Sequence, residues 1–259
     1  LIHDWTKFDL DLKKQFFVMN LEKIRCLFGT VFLAVIVGQP LSGTAGEISP
    51  AGQQLATVLD SMHVEQLWLA GRQVDWRTGV PNGPVYTNAA SHTHCSAFAA
   101  SAAEKLGIYL LHPPEHSATL LANAQQEWLF GKGTNQGWMP VKSPVEAQQL
   151  ANQGRLVVVT CKNPDPKRPG HIAIVRPSTK ADQLILAEGP DIIQAGAHNY
   201  TRTTTKEGFK NHPGAFEKNE LFYFYHDVSS SKVALPAPLQ AGDDLRASQA
   251  SPSTADIGK

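Results

Sequence analysis

Apolar positions recur at helical spacing in the first half of the chain and at strand spacing in the second. Leu55, Val58, Leu59, Met62 and Leu67 share one stripe, which predicts a helix over 55–70. Residues 72–90 hold Gly79, Pro81, Asn82, Gly83 and Pro84 and read as a loop. Phe98, Ala102 and Leu106, four apart, predict a helix opening near Cys95, with Ser91 or Thr93 as cap and Gly107 as stop. A third helix is expected over 117–130, from Ser117 to Gly131, with Leu120, Leu121, Ala124 and Trp128 inward. The fourth, 144–153, carries the strongest signals. Ser143 caps, Pro144 takes the first turn, Glu146 completes a capping box and Gly154 stops it.

Short strands dominate after that. They are expected at 155–161, from His171 onward in HIAIVRP, at 184–187, at 191–195 and at 221–228. In the last, FYFY alternation would turn two aromatics in and two out. Helices first and an antiparallel meander afterwards predict an α+β domain, with N-terminal helices packed on a small antiparallel sheet, over 46–228.

The flanks differ in character. Residues 1–18 are mixed and polar, an upstream extension. Residues 19–45 read as a secretory signal: Lys23 and Arg25, then the apolar run 26–38, then small residues with Gly43 and Ala45 before a cleavage point. The apolar run is shorter than the ~20 residues a membrane span needs. Export to a bacterial periplasm or exterior is therefore expected, with no membrane attachment after cleavage. From Ser229 the chain is rich in Ser, Ala, Pro and Asp without apolar period, which predicts a disordered tail over 229–259. A mature chain of about 210 residues suffices for one domain. The net charge of zero gives no basis for nucleic-acid binding. A monomer is expected.

Two cysteines, Cys95 and Cys161, remain after signal removal. An exported compartment permits a bridge between them. Cys161 sits in the Val-rich run RLVVVTCK and can equally be a buried small hydrophobe. Cys95 has a different setting. A thiol at a helix N-terminus, followed later by His171 at a strand start, is the sequence form of a nucleophile–base pair. Helix dipole and imidazolium both favour the thiolate. The base takes the thiol proton and returns it to the leaving amine. The predicted helix places Phe98 in the core and Cys95 at an exposed first turn.

The Cys-bearing helix, the strand Gly170-His171-Ile172-Ala173-Ile174-Val175 and the strands after it resemble the NlpC-type and CHAP-type cell-wall cysteine peptidases and amidases. The resemblance covers roughly 85–228. It implies a compact papain-like fold, no metal and no cofactor, and hydrolysis of amide bonds in peptidoglycan stem peptides or related wall material. By the same resemblance Cys95 is the nucleophile and His171 the base. The orienting third residue is Gln194, in the place of the polar residue of NlpC-type enzymes, or Glu188, in the place of the CHAP carboxylate. Position 190, where CHAP enzymes carry an asparagine, is proline. The Cys95 N–H would hold the oxyanion with one upstream group, for which His92, His94 and Tyr86 are candidates. Tyr86, His94, Asn199 and Arg202 are the expected substrate-binding residues, with Arg202 facing a substrate carboxylate.

Two other readings stay open. His92, His94 and Cys95, or His112 and His116, carry metal-binding atoms, but Pro113 and Pro114 interrupt the latter pair and no CxxC or HExxH occurs. A non-catalytic wall-binding module on the same fold would leave Cys95 idle or bridged to Cys161. An antibacterial amidase injected into competitors fits poorly with a secretory signal.

Overall fold

The computed structural model describes residues 46–88, 92–212 and 214–229. The predicted extension, the signal segment and the tail beyond Ser229 lie outside the described residues. What is described is a mixed α+β domain with six α-helices and antiparallel sheets. None of its helices is long and apolar enough to cross a membrane.

Helix α1 spans Pro50–Asp60, five residues earlier than its apolar stripe suggests. Ser49 sets the start: its Oγ accepts the Gly52 N–H, and Pro50 occupies the first turn, where no N–H is needed. Ser61 ends the helix by donating to the Val58 carbonyl at 2.7 Å. The chain then turns through left-handed His63 and Trp68, which lets Met62, Val64 and Trp68 enter the core without a helix.

The expected loop 72–90 contains a small hairpin, β1 (Arg72–Val74) and β2 (Pro81–Val85). Helix α2 follows as Cys95–Lys105. It is buried along nearly its whole length, because its alanines let it lie close to the sheet, and Phe98 is fully buried. Gly107, at φ +70°, ends it: the Gly107 N–H reaches Glu104 O and the Ile108 N–H reaches Ala103 O. Helix α3 is Leu121–Phe130. Ser117 does not cap it but accepts from Thr119 N–H in a local turn, so the helix begins four residues later than expected. A 3₁₀ turn, Lys132–Gln136, leads to β3 (Met139–Val141).

Helix α4, Pro144–Asn152, follows its signals closely. Ser143 Oγ accepts from the Glu146 N–H at 3.1 Å, and Glu146 reaches back to the Lys142 N–H at 2.9 Å. Strands β4 (Leu156–Cys161) and β5 (His171–Val175) are buried throughout. The run 184–187, expected as a strand, is instead inside helix α5, Asp182–Glu188. Its leucines were a poor guide: Leu184 and Leu186 are exposed and only Ile185 is buried. Then come β6 (Asp191–Gln194), β7 (Tyr200–Thr204), the short α6 (Thr205–Gly208) and β8 (Phe222–His226).

The main sheet has the order β3-β8-β4-β5-β6-β7, antiparallel throughout. The antiparallel run β4, β5 and β6 was expected; β7, at Tyr200–Thr204, was not. Nor was the return of β8 to pair with both β3 and β4. One face, with Leu156, Val158, Ile172, Ile174, Ile193 and Phe224, packs against residues of α1, α2 and α3. The other, with Val157, Val159, Cys161, Ala173, Val175, Ile192 and Tyr223, packs on α4 and Phe209. Helices on both faces explain why β4 and β5 read as unbroken apolar runs. They also put Tyr223 and Phe224 inside on opposite faces, rather than leaving one aromatic face to solvent.

Candidate active site

Cys95 is the first residue of α2, with His94 before it. His94 does not cap the helix; its Nε2 bonds the Arg72 carbonyl at 2.8 Å instead. The first turn of α2 is held from the far side by Gln125, which donates to Ser96 O at 3.0 Å and Leu111 O at 2.9 Å. The exposed thiol expected from the sequence is not found. Cys95 is only 5% exposed. Burial pushes its thiol up, and the N–H groups of Ile172, Ser96 and Cys95 work in the opposite sense by favouring the thiolate. Ile172 follows His171 directly, so the sulfur lies against the start of β5.

His171 opens β5, and Gly170 makes that possible. A Cβ at Gly170 would lie 2.2 Å from the Cys161 carbonyl and 2.5 Å from Asn123 Oδ1. Asn123 staples the preceding loop, donating to Arg168 O at 2.9 Å and accepting from the Asn163 N–H at 3.1 Å. The imidazole is 5% exposed. Its Nε2 bonds Gln194 Oε1 at 2.9 Å, and Gln194 Nε2 donates to the His198 carbonyl at 3.2 Å. That second bond decides the first. A carbonyl can only accept, so the amide nitrogen faces His198 and the amide oxygen faces the ring. His171 Nε2 must therefore carry the hydrogen, which leaves Nδ1 as the basic nitrogen. Burial holds the ring down at about 4, against the opposing effect of the Gln194 bond. At rest the site is a neutral thiol and a neutral imidazole. Among the described residues the two are not hydrogen-bonded to each other.

Of the two candidates for the orienting residue, the structure brings Gln194 to His171 and not Glu188. Glu188 ends α5 and pairs with Lys180 at 3.1 Å. Arg202 lies with it, not with Cys95: its Nη1 donates to Asp191 Oδ2 at 2.9 Å. Lys180, Glu188, Asp191 and Arg202 line a recess of about 450 Å³ at the Asp191 end of β6, a strand away from the Gln194 end. Asn199 is also redirected. Its Nδ2 donates to the carbonyls of Val64, Leu67 and Trp68 at 2.6, 2.9 and 3.3 Å, and its Oδ1 accepts from the Gly196 N–H at 2.9 Å. With its amide engaged internally, Asn199 braces the 195–200 turn rather than offering contacts to a substrate.

His94 directly precedes Cys95, and Tyr86 lies against the segment leading to it. Tyr86 stacks on His92, ring centroids 3.7 Å apart, and its N–H bonds Gly71 O, while the Gly71 N–H bonds His92 O. The segment before Cys95 is thereby clasped to the start of β1. His112 and His116 do not converge as a pair; each has Nδ1 turned to a neighbouring carbonyl, that of Pro113 and Ser117 respectively. Trp138 is a core residue. Cys161 is free, as is Cys95. Cys161 packs on the α4 side of the sheet, opposite His171 in the ladder, whereas Cys95 packs on the α2 side and meets β5 at the Ile172 N–H.

Three residues around His171 have no counterpart in the sequence reading. Gly208 closes α6 against Gln194: a Cβ there would lie 2.6 Å from Gln194 Oε1. Phe209 meets the imidazole edge-on at 4.7 Å, and His212 stacks on it at 5.5 Å. One signal for this element was available. Thr204 and Glu207 form a Thr-x-x-Glu cap, with Thr204 Oγ1 accepting from the Glu207 N–H at 3.1 Å. No family model matches the chain, and no curated protein matches it.

Proposed function

We propose that this protein is an exported thiol hydrolase with a papain-like fold, of the NlpC or CHAP kind, which cleaves an amide bond in peptidoglycan stem peptides or related wall material. The observation that carries this reading is the His171–Gln194 pair, tautomer fixed by His198, at the strand start that Cys95 abuts. In this reading His171 Nδ1 removes the Cys95 proton as sulfur attacks the carbonyl carbon. The N–H groups at the start of α2 receive the developing oxyanion. The imidazolium then gives its proton to the leaving amine, and water, deprotonated by the same nitrogen, releases the acyl group. Gln194 holds the ring without adding charge, so the imidazolium intermediate is stabilised less than beside a carboxylate.

Alkylation of the purified domain with iodoacetamide from pH 4 to 9, with mass mapping, tests the reading. Cys95 is expected to label faster than Cys161, whose thiol is pushed up to about 11 by burial, and His171→Ala is expected to slow Cys95 alone. Equal, slow labelling of both would overturn it. The burial and resting neutrality of Cys95 favour one second reading, a wall-binding module in which Cys95 is idle. Binding of wall fragments that survives unchanged in Cys95→Ala, with no turnover by the native protein, would establish that reading instead.

A further inference from the structure

The charges at the Asp191 end of β6 are joined in a line. Glu188 Oε2 lies 3.1 Å from Lys180 Nζ, Lys180 Nζ lies 3.4 Å from Asp191 Oδ1, and Asp191 Oδ2 accepts from Arg202 Nη1 at 2.9 Å. The two middle members are the buried ones: the Lys180 side chain is 8% exposed and that of Asp191 16%. Lys180 is fixed further by donating to the Gly189 carbonyl at 2.9 Å. The two end members are half exposed, and each keeps unused capacity. Among the described residues Glu188 Oε1 accepts no hydrogen bond, and the Arg202 guanidinium makes only the Asp191 bond and a long one, 3.5 Å, to the Pro177 carbonyl. The line therefore ends in an open carboxylate oxygen on one side and open N–H donors on the other. It borders the recess of about 450 Å³, whose wall also holds Ile48 and Thr204. Small-molecule sites span about 300–1,000 Å³, so the recess is large enough for a small ligand.

We propose that this recess is a binding site for a short peptide with both termini free, its ammonium on Glu188 and its carboxylate on Arg202. The inference does not rest on Cys95 or His171. Four charges of alternating sign sum to zero. A simple anion drawn to Arg202 is opposed by Asp191 beside it, and a simple cation drawn to Glu188 is opposed by Lys180. The line nevertheless has unlike ends. A ligand with unlike ends of its own meets both, and closes the line into a ring in which every charge has two opposite neighbours. Lys180 and Asp191 stand between the ends, so the ligand's charges must be spaced further apart than the single carbon of an amino acid allows. Thr204 stands opposite Asp191 in the β6–β7 ladder. Its Oγ1 already accepts the Glu207 N–H, which leaves the hydroxyl hydrogen for the same carboxylate. Ile48 gives a small apolar side chain of the peptide a surface to lie on. The buried Lys180–Asp191 pair holds the two ends in place before any ligand arrives, which lowers the cost of binding.

The test is an NMR titration of the ¹⁵N-labelled native protein with alanyl-alanine, following the backbone amides of Lys180, Gly189, Asp191 and Arg202. Saturable shifts of these amides are expected at millimolar peptide. The N-acetylated dipeptide, the dipeptide amide and free alanine are each expected to bind about tenfold more weakly or worse. The unblocked dipeptide should lose as much against Glu188→Gln or Arg202→Ala. Each variant removes one half-exposed end and leaves Lys180 with Asp191 and the Gly189 carbonyl, so the fold stays intact, which unchanged amide spectra away from the recess verify. No shift at about 20 mM peptide, equal binding of the blocked forms, or binding that survives in both variants overturns the proposal. Cys95→Ala is expected to bind the dipeptide unchanged. A failure of the hydrolase reading, seen in Cys95 labelling, and a failure of the recess, seen in these shifts, are thus told apart.

Discussion

The two ends of strand β6 solve the burial of polar groups in opposite ways. At the Gln194 end a neutral amide, a neutral imidazole and backbone carbonyls form a chain in which each donor meets an acceptor. At the Asp191 end the groups are charged: Lys180 touches Glu188 and Asp191, and Arg202 also reaches Asp191. The second cluster looks the more conspicuous, since it lines an open recess. Yet its charges are mutually neutralised: the largely buried Lys180 and Asp191 face one another, and Glu188 and Arg202 complete the cluster from the solvent side. The first holds one tautomer of one ring in a site with little water. Directional hydrogen bonding at one end and charge compensation at the other are what distinguish the two.

Substitutions at the two ends should separate them sharply. Cys95→Ala is expected to leave a folded protein whose wall-amide turnover falls by about 10³ or more, checked by release of stem peptides with circular dichroism as the folding control. Gln194→Ala should lower turnover by roughly ten- to a hundredfold with smaller change in KM, because the ring loses its fixed tautomer. Gly208→Ala forces Gln194 aside and should show the same kinetic pattern more weakly, with a lower Tm. Glu188→Gln and Arg202→Ala, at the charged end, should change turnover by less than about twofold. A large loss in either would shift the site toward the recess and break the comparison.

Acid should sharpen it further. His171 is held at about 4 when folded, against an ordinary value of 6.5. Below 6.5 the unfolded chain takes the proton first, so the folded state loses stability as pH falls from there toward 4. Its contribution is full above 6.5 and amounts to about 3 kcal/mol over the whole span, of which about 2 kcal/mol is lost by pH 5. Urea unfolding of the native protein at pH 7 and pH 5 should show that part of the loss. His171→Gln, which keeps a buried polar group without a titration, should show a smaller one.

Much of this arrangement was legible in the chain, and the exceptions have physical causes. Ser143-Pro144 and Gly154 marked α4 because capping chemistry is local, and Gly107 marked the end of α2 for the same reason. Cys95, His171 and Gln194 could be picked out as candidates because each sits at the edge of an element with clear periodicity. The run 184–187 misled because four apolar residues carry no period that distinguishes strand from helix. Arg202 and Asn199 looked available because their partners, Asp191 and the carbonyls of Val64, Leu67 and Trp68, depend on tertiary placement. The burial of Cys95 was equally illegible: it follows from how closely an alanine-rich helix approaches the sheet, which no spacing rule encodes.

The Asn199 brace has a consequence for how the site comes into being. Its bonds join positions 131 to 135 residues apart, linking the turn that follows Gln194 to the turn that follows α1. Contacts of such long separation close late, because the loop between them must first be ordered. Gln194 is thus set only once nearly the whole domain is in place, and a chain still emerging or still partly unfolded holds its cysteine beside an imidazole with no fixed orientation. On the proposed reading of Cys95 and His171, this order of assembly would keep the pair inactive until the fold is complete.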